Sequence, residues 1–96
     1  LMTMVWVELK PGAMGCQPIL DFISDLLPNT RAFKGCQDLK VYVEGDGEAI
    51  VFIEYWDSVE HYPRYLNWRT ETGVLAELVE MLDEPLVIRM AEDSGI

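Results

Sequence analysis

Residues Leu39 to Trp56 read LKVYVEGDGEAIVFIEYW, and this stretch decides the fold. LKVYVE (Leu39–Glu44) alternates as a strand. Gly45-Asp46-Gly47 supplies residues that accept positive φ in a tight hairpin connection, and AIVFIEYW (Ala49–Trp56) returns as the partner strand. Working outward, TMVWVEL (Thr3–Leu9) reads as another strand, ended by the turn signal Lys10-Pro11-Gly12. QPILDFISDLL (Gln17–Leu27) puts Ile19, Leu20, Ile23, Leu26 and Leu27 on one helical face, with Pro18 in the first turn and Pro28 as the expected stop. A short stretch, Asn29–Phe33, then leads to Gly35.

Beyond the hairpin, Asp57 or Ser58 is the expected cap of a second helix. Asp57 and Glu60 have the spacing of a capping box. That helix should run to about Thr72 and break at Gly73, with a bend or irregular turn at Pro63. VLAELVEML (Val74–Leu82) forms a further helical segment, and LVIRMA (Leu86–Ala91) a last strand before a polar tail. The order β-α-β-β-α-β, its second helix split by glycine, is the ferredoxin-like α+β plan with a four-stranded antiparallel sheet. Residues 1–96 form a single domain. Right-handed crossovers put Cys16 and Cys36 at opposite ends of the sheet, so no disulfide between them is expected.

A sheet wet on one face should alternate cleanly, and these strands do not. In the third strand Ile50 and Phe52 share one face while Ala49, Val51, Ile53 and Tyr55 share the other. The last sets Leu86, Ile88 and Met90 against Val87 and Ala91; the first sets Val5, Val7 and Leu9 against Met4 and Trp6. Helices cover only one face, which makes a homodimer through the open sheet face the expected assembly. Composition agrees. The chain is 50% hydrophobic with 3 Trp, 4 Tyr and 3 Phe, more than a lone domain of this size hides when it buries only about 60–65% of its unfolded surface. The polar exceptions on the strands are Glu8, Lys40, Tyr42, Glu54 and Arg89. Either Arg89 pairs with Glu8 or Glu54, or these groups are polar anchors for a ligand.

Charge narrows the partners. Seven Lys and Arg against 17 Asp and Glu, net −10, leave no electrostatic footprint for nucleic acid or anionic lipid. No apolar run reaches the roughly 20 residues of a membrane helix, and no basic-then-apolar signal opens the sequence. It begins on Leu1 rather than Met, as expected of a chain with a short appended remnant or without its own start. Two cysteines and one histidine lack metal-ligand spacing, and there is no phosphate loop or dinucleotide fingerprint, so no metal and no cofactor is expected, and a reduced, cytoplasmic protein is.

Aromatic density marks the candidate site: Phe52, Tyr55, Trp56, Tyr62, Tyr65 and Trp68. Such a cluster is core, or it is a mostly apolar pocket for a small aromatic ligand, with Tyr and Trp tips as donors. His61 is either locally bonded at the helix start or the base of a reaction, being the one side chain that ordinarily titrates near neutrality.

On these residues the sequence resembles a family. EYWDSVEHYPRYLNWR (Glu54–Arg69), with LKPG (Leu9–Gly12), LPNTRAFKGC (Leu27–Cys36) and PLVIR (Pro85–Arg89), looks like the antibiotic biosynthesis monooxygenase domain of the dimeric α+β barrels. Trp56, Asp57, Ser58, Glu60 and Tyr62 carry its most specific element. The resemblance implies two sheets packed face to face as a dimeric α+β barrel. It also implies oxidation of a quinol or polycyclic phenol by molecular oxygen without metal or flavin. Other relatives degrade haem, and many have no demonstrated activity. Anthrone-oxidising relatives use an Asn in the third strand, the Trp that ends it, a Tyr on the next helix and a later Arg. Trp56 and Tyr62 match; Phe52 stands where the Asn is expected, and Val79 is nearest the Arg. Haem-degrading relatives need a first-strand Asn, absent from Met4–Glu8, a Trp where Tyr65 falls, and a later His that is missing. The expected catalytic set is therefore Trp56, His61 and Tyr62, with Phe52, Tyr65, Trp68 and Arg69 binding substrate. In it His61 or Tyr62 is the base, Trp56 donates its indole N–H and Arg69 holds the anion. The alternatives are a non-catalytic ligand-binding or stress-related barrel and a purely structural dimerisation module.

Overall fold

The computed structural model describes residues 1–96 and follows the hairpin-centred plan. Its elements are β1 (Thr3–Leu9), α1 (Gln17–Arg31), β2 (Cys36–Glu44), β3 (Ala49–Trp56), α2 (His61–Glu71), α3 (Val74–Glu80) and β4 (Val87–Glu92). The sheet runs β2-β3-β1-β4 with every neighbouring pair antiparallel. Glu44 pairs with Ala49, so the hairpin spans four residues, with φ of +59° at Gly45 and +91° at Gly47. Both cysteines are free: Cys36 opens β2, while Cys16 lies against Gly47 at the far end of that strand.

Two prolines depart from expectation. Pro28 does not stop α1, which continues to Arg31. The proline removes one hydrogen bond to the preceding turn, but Ser24 and Pro28 are exposed, so the freed carbonyl is open to solvent. The buried Ile19, Ile23, Leu27 and Thr30 hold the helix down on both sides of the proline. Pro63 lies in the first turn of α2, which starts at His61, rather than two turns in. Backbone N–H groups there have no intrahelical acceptor in any case. The expected capping box is absent too: Glu60 is the cap residue and makes no side-chain cap bond. Gly73, with φ +82°, turns the chain from α2 into α3.

The register separates the two faces of the sheet. Thr3, Val5, Val7 and Leu9 on β1 oppose Trp56, Glu54, Phe52 and Ile50 on β3 and face the helices. There they pack with Ile19, Ile23, Leu27, Tyr62, Tyr65 and Leu78 into the core. The other face carries Met4, Trp6 and Glu8 beside Tyr55, Ile53 and Val51, with Arg89 opposite Trp6. No element of the chain covers that second face. The expected Arg89 pairing is not formed. Arg89 lies 5.1 Å over the Trp6 ring, Glu8 meets Lys10 at 3.9 Å, and Glu54 sits on the opposite face.

Candidate functional site

Between the sheet and its helices lies a partly open cavity of about 60 Å³. Val7, Leu39, Phe52 and Ile88 form its sheet wall, and Phe22, Ile23, Leu26, Leu66, Leu75 and Leu78 its helix walls. Its polar groups are Glu54, Tyr62, Tyr65 and Arg69, in a lining otherwise apolar.

Strand alternation aims Glu54 into this cavity. It follows Phe52 on the inward side of β3 and is flanked across the sheet by Val5 and Leu39, so its carboxyl sits among aliphatic side chains. It is 2% exposed. The Trp56 indole Nε1–H, one inward position further along the strand, donates to Glu54 Oε1 at 3.0 Å. No cation reaches the carboxylate, since Lys10–Glu8 is the chain's one ion pair. Burial therefore dominates and raises the Glu54 pKa to about 7, against a smaller lowering by the Trp56 hydrogen bond. A buried acid that titrates near neutrality is suited to taking a proton from a bound substrate.

Tyr62 projects from the first turn of α2 and is 2% exposed. Burial first, then the Glu54 charge, push its phenol above the ordinary tyrosine range, so it stays protonated and is a donor rather than a base. Its ring stands edge-on to Trp56 at 5.6 Å. Tyr65 and Arg69 lie one turn apart on α2 and form a buried network with Thr30 of α1. The Tyr65 and Thr30 hydroxyls are 2.7 Å apart, and Arg69 donates to Tyr65 Oη at 3.0 Å, to Thr30 Oγ1 at 2.9 Å and to the Leu26 carbonyl at 2.8 Å.

Of the residues singled out in the sequence, the cavity brings together Phe52, Tyr62, Tyr65 and Arg69. Trp56 lies beneath it. Its N–H, expected to serve a substrate, is occupied by Glu54. His61 is turned away: its Nδ1 is 2.7 Å from Ser58 Oγ, and its ring packs so closely on Gly35 that an added Cβ would fall 2.3 Å from Cδ2. Trp68 stacks on Phe33 at 5.4 Å and is not part of the lining. The expectation that His61 or Tyr62 is the base thus meets a histidine outside the cavity and a phenol held protonated. Glu54, visible in the sequence only as a polar exception on a strand, is the carboxyl that lines the cavity with its pKa raised to about 7. Its signal was a carboxylate in phase with the inward Ile50 and Phe52. No group of three His, Cys, Asp or Glu side chains is placed to hold a metal ion, and no helix is long and apolar enough to cross a membrane.

No protein-family model matches the sequence, and no curated protein does. Solved structures match its fold closely. A conserved protein from Methanosarcina mazei superposes with a TM-score of 0.87 at 20% identity, covering 98% of this chain and 94% of the other. An antibiotic biosynthesis monooxygenase gives 0.82 at 15%, covering 95% and 97%. A protein of unknown function from Nitrosomonas europaea gives 0.80 at 16%, covering 97% and 89%. At such identities the likeness is one of fold: the chain has the architecture of antibiotic biosynthesis monooxygenase-like domains.

Proposed function

We propose that the chain is a cofactor-independent monooxygenase acting on a quinol or related phenolic compound, working as a homodimer through its open sheet face. Glu54 carries this reading, as a buried, cation-free carboxyl with a pKa raised to about 7, at the wall of an apolar, aromatic-lined cavity.

An electron-rich ring reacts with oxygen most readily as its anion, and Glu54 is the group to remove the proton. Tyr62 donates a hydrogen bond to the developing oxyanion, while the apolar walls exclude water. For a hydroquinone the balance is quinol plus O₂ to hydroxyquinone plus water. The ring loses four electrons, one oxygen atom enters it and the other leaves as water, so no outside reductant is required. At about 60 Å³ the cavity is far below the roughly 300–1,000 Å³ of drug-sized sites. A cavity that encloses benzene is about 150 Å³, so even one ring enters this site only with part of it in the open mouth, and the fused rings of an anthrone are disfavoured further.

A non-catalytic ligand-binding protein is the second reading, favoured by the polar tips of Trp56 and Tyr65 being bonded within the chain. Oxygen uptake with a panel of hydroquinones and anthrones separates the two. The oxygenase reading expects wild-type uptake to rise with pH through about 7 as Glu54 ionises, a loss of about 100-fold in Glu54→Gln, and a smaller loss in Tyr62→Phe. Uptake no faster than the uncatalysed rate overturns it in favour of the binder.

The open face supports the dimer. Tyr42, Tyr55 and Val87 are exposed there, and Trp6 Nε1 is a buried donor with no acceptor in its own chain.

A further inference from the structure

Arg69 is 5% exposed, yet no carboxylate lies within ion-pair distance of it. A buried charge without a counterion is costly and is normally paired. Three of its five N–H groups are used: Nε–H by Tyr65, and the two on Nη2 by Leu26 and Thr30. Both N–H groups of Nη1 remain. Trp6 Nε1 is the one sealed side-chain polar atom without a partner, so Nη1, also unpartnered, stays within reach of a water-sized visitor. The guanidinium itself cannot swing: the Trp68 ring lies 4.4 Å from its Cζ, and the three protein acceptors hold its other edge. This is a preorganised donor at the wall of the cavity already described.

We infer that Arg69 is an anion clamp, and that the cavity's ligand is an aromatic acid: a hydroxylated ring whose carboxylate meets the Arg69 Nη1 edge while its hydroxyl end turns toward Glu54. The inference rests on the cavity being the ligand site. It adds a substrate class, because a neutral quinol leaves the buried cation unmatched while an aryl carboxylate supplies the missing charge through charge-assisted hydrogen bonds. Glu54 does not compensate Arg69; burial and the Trp56 indole alone set its titration. The two groups thus stand as separate poles of one site, one fixed in charge and one switchable.

Calorimetric titration of the intact protein under nitrogen at pH 6, where Glu54 is mostly protonated, tests this with three probes: 2,5-dihydroxybenzoate, its methyl ester and hydroquinone. The acid should bind at least tenfold more tightly than the ester or hydroquinone. Arg69→Gln should abolish the preference, and Arg69→Lys should retain part of it. Equal affinities, a preference undiminished in Arg69→Gln, or no binding by any probe overturns the clamp. Should Arg69→Gln fail to fold, acid against ester on the wild type decides, since the two differ in charge at nearly the same size. Binding is read without turnover, so the clamp and the oxygenase reading fail separately. Selective binding without oxygen uptake retires the oxygenase alone, and uptake without selectivity retires the clamp alone.

Discussion

The two faces of the sheet come from the same strands, residue by alternate residue, and have opposite fates. The inward face is closed by the chain's own helices, and Val5, Leu9, Ile50, Glu54 and Trp56 on it are at most 2% exposed. The outward face is also apolar, yet beside the buried Ala49 and Val51 it leaves Tyr42 52% and Val87 46% exposed. On the closed face a single carboxyl among aliphatic groups has its ionisation displaced by burial. On the open face charged groups keep company with aromatic rings and solvent, as Arg89 does over Trp6. What distinguishes the faces is therefore the presence of a cover, and a polar group becomes chemically unusual only under one.

The largest expected effect lies on the open face. Ile53→Asp places a charge at its centre and should convert a dimer of twice 11.0 kDa into a monomer by light scattering, at a cost of several kcal/mol of association. A wild-type monomer at micromolar concentration breaks the comparison, since the open face would then be stable without a cover.

Glu54→Gln probes the closed face through stability. The Glu54 pKa is raised on folding, so the folded chain holds its proton more tightly than the unfolded chain. Stability is then lost as pH rises from about 4.5 to about 7. Glutamine carries no such penalty, so its advantage in thermal unfolding should grow by about 2 kcal/mol between pH 5 and pH 8. An advantage independent of pH means that the carboxyl is solvated and that the closed face does not set its ionisation.

The smallest effect is expected at His61, which borders the closed face without entering the cavity. His61→Ala should leave oxygen uptake within about threefold of wild type, whereas a loss comparable to that of Glu54→Gln returns the histidine to the site.

Much of the fold was legible in the residues. The bounds of β1 and β3 follow from β-branched and aromatic runs between turn signals, and the break at Gly73 from glycine itself. The fit of the prolines was not legible, because a proline's effect depends on which helix position it occupies and whether the freed carbonyl meets water. Neither is visible without the helix start and the burial. The site was half legible. Phe52, Tyr62, Tyr65 and Arg69 were recognisable as aromatic and cationic groups at strand and helix spacing, and they do meet at the cavity. His61 was named for its ordinary titration range, a property of the free side chain.

Sequence by itself determined the strand faces, the hairpin and the surplus of apolar surface, because alternation, turn chemistry and composition are local quantities. Only the tertiary structure decided which ionisable group is chemically poised. The pKa of Glu54 depends on Val5, Leu39 and Trp56 crowding it from three strands. The unpaired charge of Arg69 depends on Leu26, Thr30 and Tyr65 meeting it with neutral acceptors alone. Desolvation and charge pairing are sums over neighbours distant in the chain, and those sums exist only once the chain has folded.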